Sequence, residues 1–145
     1  MSRVIAIDPG ISKCGLIVAD ISEKIVYEAI VFNSHLLLKH IKNKYQNENN
    51  LQLLIGNGTS SKNYIKDLNQ MVPNLIIAEE KNSTYRAKQR YFEIFPLLGI
   101  KSFLPREIFI LNKNLDALAA LIIMEDYFKV KLNFSEKVEI KTWLK

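Results

Sequence analysis

Val4-Ile5-Ala6-Ile7-Asp8-Pro9-Gly10 is an apolar run that ends abruptly in a carboxylate, a proline and a glycine. The run does not alternate with polar residues, which predicts a strand buried on both faces of a sheet. Pro9 ends the strand and Gly10 lets the backbone turn, so Asp8 falls where a central strand leaves the sheet. Open α/β sheets bind their ligands at such strand ends. Asp8 is therefore a candidate cation ligand, although an Asp that merely opens a turn would give the same pattern.

Two further strands are predicted directly after this turn, at residues 15–20 and 25–31, and residues 21–24 form the turn between them. Short connections make neighbouring strands antiparallel, so the first three strands are expected to form a meander. A carboxylate at the end of strand one, followed by a strand that begins with Gly15, is typical of two superfamilies. They are the RNase H-like nucleases and the ATPases of the actin, sugar-kinase and Hsp70 group. The ATPases need two such domains, which argues against them here.

The composition is that of an ordinary globular protein. The 145 residues predict a single domain, and 48% hydrophobic content is enough for a sizeable core. Twenty Lys and Arg against 15 Asp and Glu give a net charge of +5, which is compatible with nucleic-acid binding. Cys14 has no partner for an internal disulfide, no apolar run reaches a membrane-spanning length, and no signal peptide is recognisable. We therefore expect a cytoplasmic protein with no membrane partner. Cys14 and two histidines are too few for a structural zinc site.

A glycine-containing turn, Gly56-Asn57-Gly58-Thr59, follows a fourth predicted strand at residues 51–55. Its backbone N–H groups are suited to cradle a phosphate at the start of the next helix. A tight strand-to-helix turn with Thr59 or Ser60 as N-cap explains the same residues, and the spacing is not that of a P-loop. The preceding helix is predicted to begin with Ser34 as its N-cap.

A second acidic strand end comes from residues 75–78, an apolar fifth strand that runs into Glu79 and Glu80. Adjacent residues of a strand point to opposite faces, so at most one of the two should share a site with Asp8. The alternation alone leaves open which one it is.

A basic and aromatic stretch follows a predicted helix start at Asn82-Ser83-Thr84. Arg86, Lys88 and Arg90 alternate there with aromatic side chains, a pattern that suits contact with a phosphate backbone. An amphipathic helix with its charges in water would look the same. Beyond it, residues 108–110 are predicted to form a short extended piece.

The last predicted helix spans residues 115–128 and is too apolar for a surface helix, so it should lie against the sheet. Asp116 falls on its packed side by the three-and-four spacing, which makes it a third candidate ligand. Compensation of the helix dipole at an N-terminus is the alternative explanation. We therefore expect a single domain of the RNase H-like nuclease type at residues 1–128. A basic tail follows at residues 129–145, and the sequence does not assign this tail to a helix or a strand.

Three carboxylates thus arise at separate element ends: Asp8, Glu79 or Glu80, and Asp116. Oxygen ligands alone favour hard cations such as Mg²⁺ or Mn²⁺. Two such ions can activate a water and stabilise the leaving oxygen in phosphodiester cleavage.

Four blocks of the sequence resemble the YqgF and RuvC group of Holliday-junction-resolvase-like nucleases, within the RNase H-like superfamily. They are Ile7-Asp8-Pro9-Gly10 with Lys13-Cys14-Gly15, Leu54-Ile55-Gly56-Asn57-Gly58-Thr59, Ala78-Glu79-Glu80-Lys81-Asn82-Ser83-Thr84 with Ala87, and Leu115-Asp116-Ala117-Leu118-Ala119-Ala120. The chain looks most like the YqgF-type branch, and that match gives the catalytic place to Glu80. Lys81 stands where this branch usually has Arg. Lys113 stands where the RuvC branch has a further Asp.

The resemblance implies an α/β, RNase H-like fold with a five-stranded mixed sheet, strands 1–3 antiparallel and helices on both faces. It also implies a Mg²⁺- or Mn²⁺-dependent endonuclease in which Asp8, Glu80 and Asp116 hold the metal. Its substrate would be branched DNA or the precursor of 16S ribosomal RNA, and a catalytically inactive nucleic-acid-binding relative stays open, as does a homodimer. The residues expected to contact nucleic acid are Lys13, Gly56, Asn57, Thr59, Lys81, Arg86 and Arg90.

Overall fold

The computed structural model describes residues 3–48, 50–80, 83–96 and 112–143. Three strands come first in this chain, and helices and strands follow one another after them, as the apolar runs and helical spacings predict. The strands are β1 (Arg3–Asp8), β2 (Lys13–Asp20), β3 (Ile25–Asn33), β4 (Gln52–Gly56), β5 (Leu75–Ala78), β6 (Asn133–Phe134) and β7 (Ile140–Trp143). The helices are α1 (Leu37–Asn47), α2 (Lys62–Met71), α3 (Ser83–Ile94) and α4 (Asn112–Phe128). Short 3₁₀ turns, Ser34–Leu36 and Thr59–Ser61, lead into α1 and α2.

One mixed sheet has the strand order β5-β4-β1-β2-β3. β1, β2 and β3 form the antiparallel meander, whereas β4 runs parallel to β1 and β5 parallel to β4. This is the RNase H-like topology, and the predicted five-stranded mixed sheet is confirmed. β6 and β7 extend it, because they pair one after the other with the free edge of β3, parallel to it. The segment that the sequence left unassigned thus adds short strands to the sheet.

Helices cover both faces of the sheet, as expected. α3 and α4 pack on one face, against residues such as Ala6 and Leu54. α1 and α2 pack on the other, against Ile5 and Leu53. Residues 4–7 of β1 are buried on both sides, which is why this strand is apolar throughout.

α4 lies across the sheet and contacts β1, β2 and β3. Residues 117–124 are all buried, so the helix is apolar on every side. It begins at Asn112, three residues before the predicted start at Leu115. Within the described part of the chain, no helix is both long and apolar enough to cross a membrane.

The predicted N-caps are wrong. Neither α1 nor α2 has a side-chain cap hydrogen bond, because a 3₁₀ turn precedes each helix. The Ser34 hydroxyl instead donates to the carbonyl of Gly10 at 2.8 Å, and its N–H donates to the carbonyl of Ser12 at 2.9 Å. Ser34 therefore fixes the loop that follows Asp8. Lys81 and the extended piece predicted at residues 108–110 lie outside the described residues.

Candidate metal centre

Three of the predicted carboxylates lie together at one end of the sheet. Asp8 is the last residue of β1, Glu80 follows the end of β5 by two residues, and Asp116 lies in the first turns of α4. The carboxyl groups of Asp8 and Glu80 are close enough to share a hydrogen bond when one of them is protonated, and the charge of Asp116 acts on Asp8. Residues more than a hundred positions apart thus form one acidic cluster.

Gly15 explains how Asp116 reaches this position. It pairs with Asp8 across β1 and β2. A Cβ on Gly15 would overlap the backbone carbonyl of Asp116, so only a glycine lets α4 approach the sheet this closely. The glycine at the start of the second strand, noted from the sequence as part of a motif, therefore serves to seat the helix that carries the third carboxylate.

The glycine turn after β4 holds Glu80. Gly56 pairs with Ala78 of β5, and a Cβ on Gly56 would overlap the Glu80 carboxyl group. A Cβ on Gly58 would come within 2.7 Å of Glu80 Oε2. The Asn57 side-chain oxygen accepts a hydrogen bond from the Glu80 N–H at 3.1 Å. The sequence suggested a phosphate cradle or a plain turn here and did not predict the contact with Glu80. The pairing of β4 with β5, which places Gly56 beside Ala78, is the feature that produces this contact.

The two neighbouring glutamates separate as their alternation requires. Glu80 lies in the cluster with Asp8, while Glu79 is exposed and lines a different cleft with Ile77, Ile123 and Tyr127. Glu80, the residue that the motif match chose, is thus the one that the fold brings to Asp8.

Electrostatics at the cluster oppose full ionisation. Burial, the hydrogen bond with Glu80 and the nearby charges raise the pKa of Asp8 to about 8. Burial also raises the pKa of Asp116, and Lys13 works against that rise. The Lys13 Nζ lies 3.8 Å from Asp116 Oδ2. The cluster therefore carries less negative charge at neutral pH than three free carboxylates would.

The cluster fits a hard cation in its chemistry. Glu80 Oε1 and Asp116 Oδ2 are buried and have no hydrogen-bond partner, which is costly unless a ligand satisfies them. The donors are all carboxylate oxygens, which Mg²⁺ and Mn²⁺ prefer. Within the described residues, no group of three or more Asp, Glu, His or Cys side chains is already placed to hold a metal ion. A bound ion would thus have to draw these carboxylates together, with Asp8, Glu80 and Asp116 as its ligands.

Two of the predicted nucleic-acid contacts lie elsewhere. Arg90 is buried, and its guanidinium donates to both Glu125 oxygens, at 2.9 and 3.0 Å, and to the Leu132 carbonyl at 2.6 Å. This side chain ties α3 and α4 to the segment before β6, which argues against the predicted contact of Arg90 with phosphate. Arg86 is half-exposed and pairs with Asp126.

The two arginines lie far from the acidic cluster, because their partners Glu125 and Asp126 are near the other end of α4. Glu125 and Asp126 lie roughly 14–15 Å further along the helix axis than Asp116, at 1.5 Å per residue. A phosphate bound at the carboxylates would therefore not reach Arg86 or Arg90 directly. Sequence reasoning missed this because the acidic partners of both arginines are some 35–40 positions away.

Comparisons with protein-family models and with curated proteins find no match to this chain. The likeness to the YqgF and RuvC group consists of the short motifs and the RNase H-like topology. Any activity has therefore to be inferred from the chemistry of the acidic cluster and the residues around it.

Proposed function

We propose that this protein is a Mg²⁺- or Mn²⁺-dependent endonuclease that cleaves phosphodiester bonds in structured nucleic acid. One observation carries the proposal: Asp8, Glu80 and Asp116 converge from three elements at the end of the sheet where open α/β sheets bind ligands. Two of their buried oxygens, Glu80 Oε1 and Asp116 Oδ2, have no hydrogen-bond partner. A purely structural cluster would be expected to satisfy those oxygens with protein donors.

The glycines around the cluster support the same proposal. Gly15 and Gly56 allow the backbone of α4 and the carboxyl of Glu80 to come closer than any side chain would permit. Such close approach is not needed for packing alone at this end of the sheet, since larger side chains would bury more apolar area there.

A bound divalent ion would activate a water and stabilise the leaving oxygen of the cleaved diester. Asp8 and Glu80 would hold that ion from one side and Asp116 from the other. The half-exposed Lys13 and the exposed Thr59 flank the cluster and would meet the phosphate backbone. The basic net charge of +5 favours the encounter with a polyanion.

Cleavage of a four-way DNA junction and of a precursor 16S ribosomal RNA fragment, assayed side by side, tests the proposal. We expect Mg²⁺-dependent products from one of the two, none in chelator, and none with Asp8→Asn or Glu80→Gln. Glu79→Gln is the matched control and should retain most activity, because Glu79 lies outside the cluster.

Which of the two substrates is cut shows whether the enzyme acts on branched DNA or on precursor RNA. Binding without cleavage of either substrate would contradict the proposal and favour a catalytically inactive binding protein. Equal losses in the two glutamate variants would contradict the placement of Glu80 as the ligand.

A further inference from the structure

The half-exposed Lys13 ammonium lies at the Asp116 side of the acidic cluster. Its Nζ is 3.8 Å from Asp116 Oδ2, an oxygen that is buried and accepts no hydrogen bond. Lys13 is the first residue of β2 and pairs with Asn33, so its backbone is held by the sheet. Its carbonyl also packs against Gly10, where a Cβ would overlap it. The backbone of Lys13 is thus fixed at the end of β2, and the side chain extends from there to Asp116.

The other two carboxylates are arranged differently. Asp8 and Glu80 are close enough to share a hydrogen bond, and neither forms an ion pair with another described side chain. They therefore form the open, cation-deficient half of the cluster, while Asp116 already has a positive neighbour. Once a bound ion displaces the proton held between Asp8 and Glu80, one divalent ion and one ammonium together balance three carboxylates.

We infer that Lys13 takes the place of a second metal ion, so that Asp8, Glu80 and Asp116 hold a single divalent ion and the ammonium lies beside Asp116 Oδ2. This rests on the proposed function, because it concerns the same site. A two-ion site needs a second cation about 3.5–4 Å from the first, and the Asp116 side is where it would bind. The Lys13 ammonium occupies that side and supplies a compact, three-donor positive charge for a phosphate oxygen.

Counting bound Mn²⁺ by electron paramagnetic resonance of the free ion tests this inference without any cleavage. The count is made on the whole protein alone and again with saturating thymidine 5′-monophosphate, which offers a phosphate but no diester to cut. The variants are Lys13→Met, which removes the charge, and Lys13→Arg, which keeps it. Lys66→Met, at an exposed position of α2, is the matched control.

We expect one ion per chain in the native protein, in Lys13→Arg and in Lys66→Met under both conditions. Lys13→Met should bind two ions when the nucleotide is present. Two ions in the native protein, or one ion in Lys13→Met under both conditions, would overturn the role of Lys13 and leave the proposed metal site intact. No bound ion in the native protein would overturn the metal site itself, and with it the proposed function.

Discussion

At the scale of a single residue, the burial of Asp8 opposes the negative charge that a metal ligand needs. The fold buries its carboxyl group beside Glu80 and within the field of Asp116, so its pKa rises from 3.8 to about 8. A group whose pKa is higher in the folded than in the unfolded chain binds an extra proton on folding between those two values. The charged form of Asp8 is thus the costly one, unless a cation is bound beside it.

Stability in chelator should therefore fall as the pH rises from about 5 to 8, in the range between the ordinary and the raised pKa of Asp8. Asp8→Asn removes the titrating group, so its stability should fall less over this range. Urea unfolding of both proteins at four pH values measures the difference. Asp67→Asn, at an exposed position of α2, should follow the native protein. Parallel curves for the native protein and Asp8→Asn would show that the Asp8 environment is not the one described.

At the scale of elements, close contacts decide where the carboxylates lie. α4 approaches β2 at Gly15, where backbone meets backbone, while the turn after β4 meets only the flexible Glu80 side chain at Gly58. Two glycines next to the same cluster therefore differ in what an added methyl group would displace.

Gly15→Ala should destabilise the protein by about 3 kcal/mol, because the added Cβ overlaps the α4 backbone and must push the helix away. Gly58→Ala should stay within about 1 kcal/mol of the native protein, since Gly58 has an ordinary φ of −57° and the tip of Glu80 can move. Thermal and urea unfolding compare the two. Similar losses of stability in both variants would contradict the described seating of α4.

Periodicity predicted the elements well but not their fine contacts. The apolar run before Asp8 and the buried character of α4 follow from sequence, because burial on all sides leaves a continuous apolar pattern. The choice between Glu79 and Glu80 does not follow from periodicity, since alternation assigns two faces without saying which one meets Asp8, and only the motif resemblance favoured Glu80. The prediction of Ser34 as an N-cap was wrong because its hydroxyl donates to the carbonyl of Gly10, twenty-four positions earlier.

At the scale of the whole molecule, a shared core joins the carboxylate site to the C-terminal segment. Arg90, Glu125 and the Leu132 carbonyl tie α3 and α4 to the residues that lead into β6. β6 and β7 then complete the edge of β3. Long-range polar ties of this kind have no local signature, which is why the sequence presented Arg90 as a surface charge. The acidic cluster is built into this same cooperative unit, so an ion bound there should stabilise the entire fold.

Melting curves in Mg²⁺ and in chelator, at pH 8, test the central claim most directly. An ion that binds the folded site and not the unfolded chain raises the melting temperature in step with its concentration. We predict such a rise for the native protein and for Asp67→Asn, and its near-complete loss in Asp8→Asn. In chelator, Asp8→Asn should melt at the same temperature as the native protein or higher, because a repelling charge is gone. If Asp8→Asn melts lower in chelator and still gains fully from Mg²⁺, Asp8 is a turn residue and not a metal ligand.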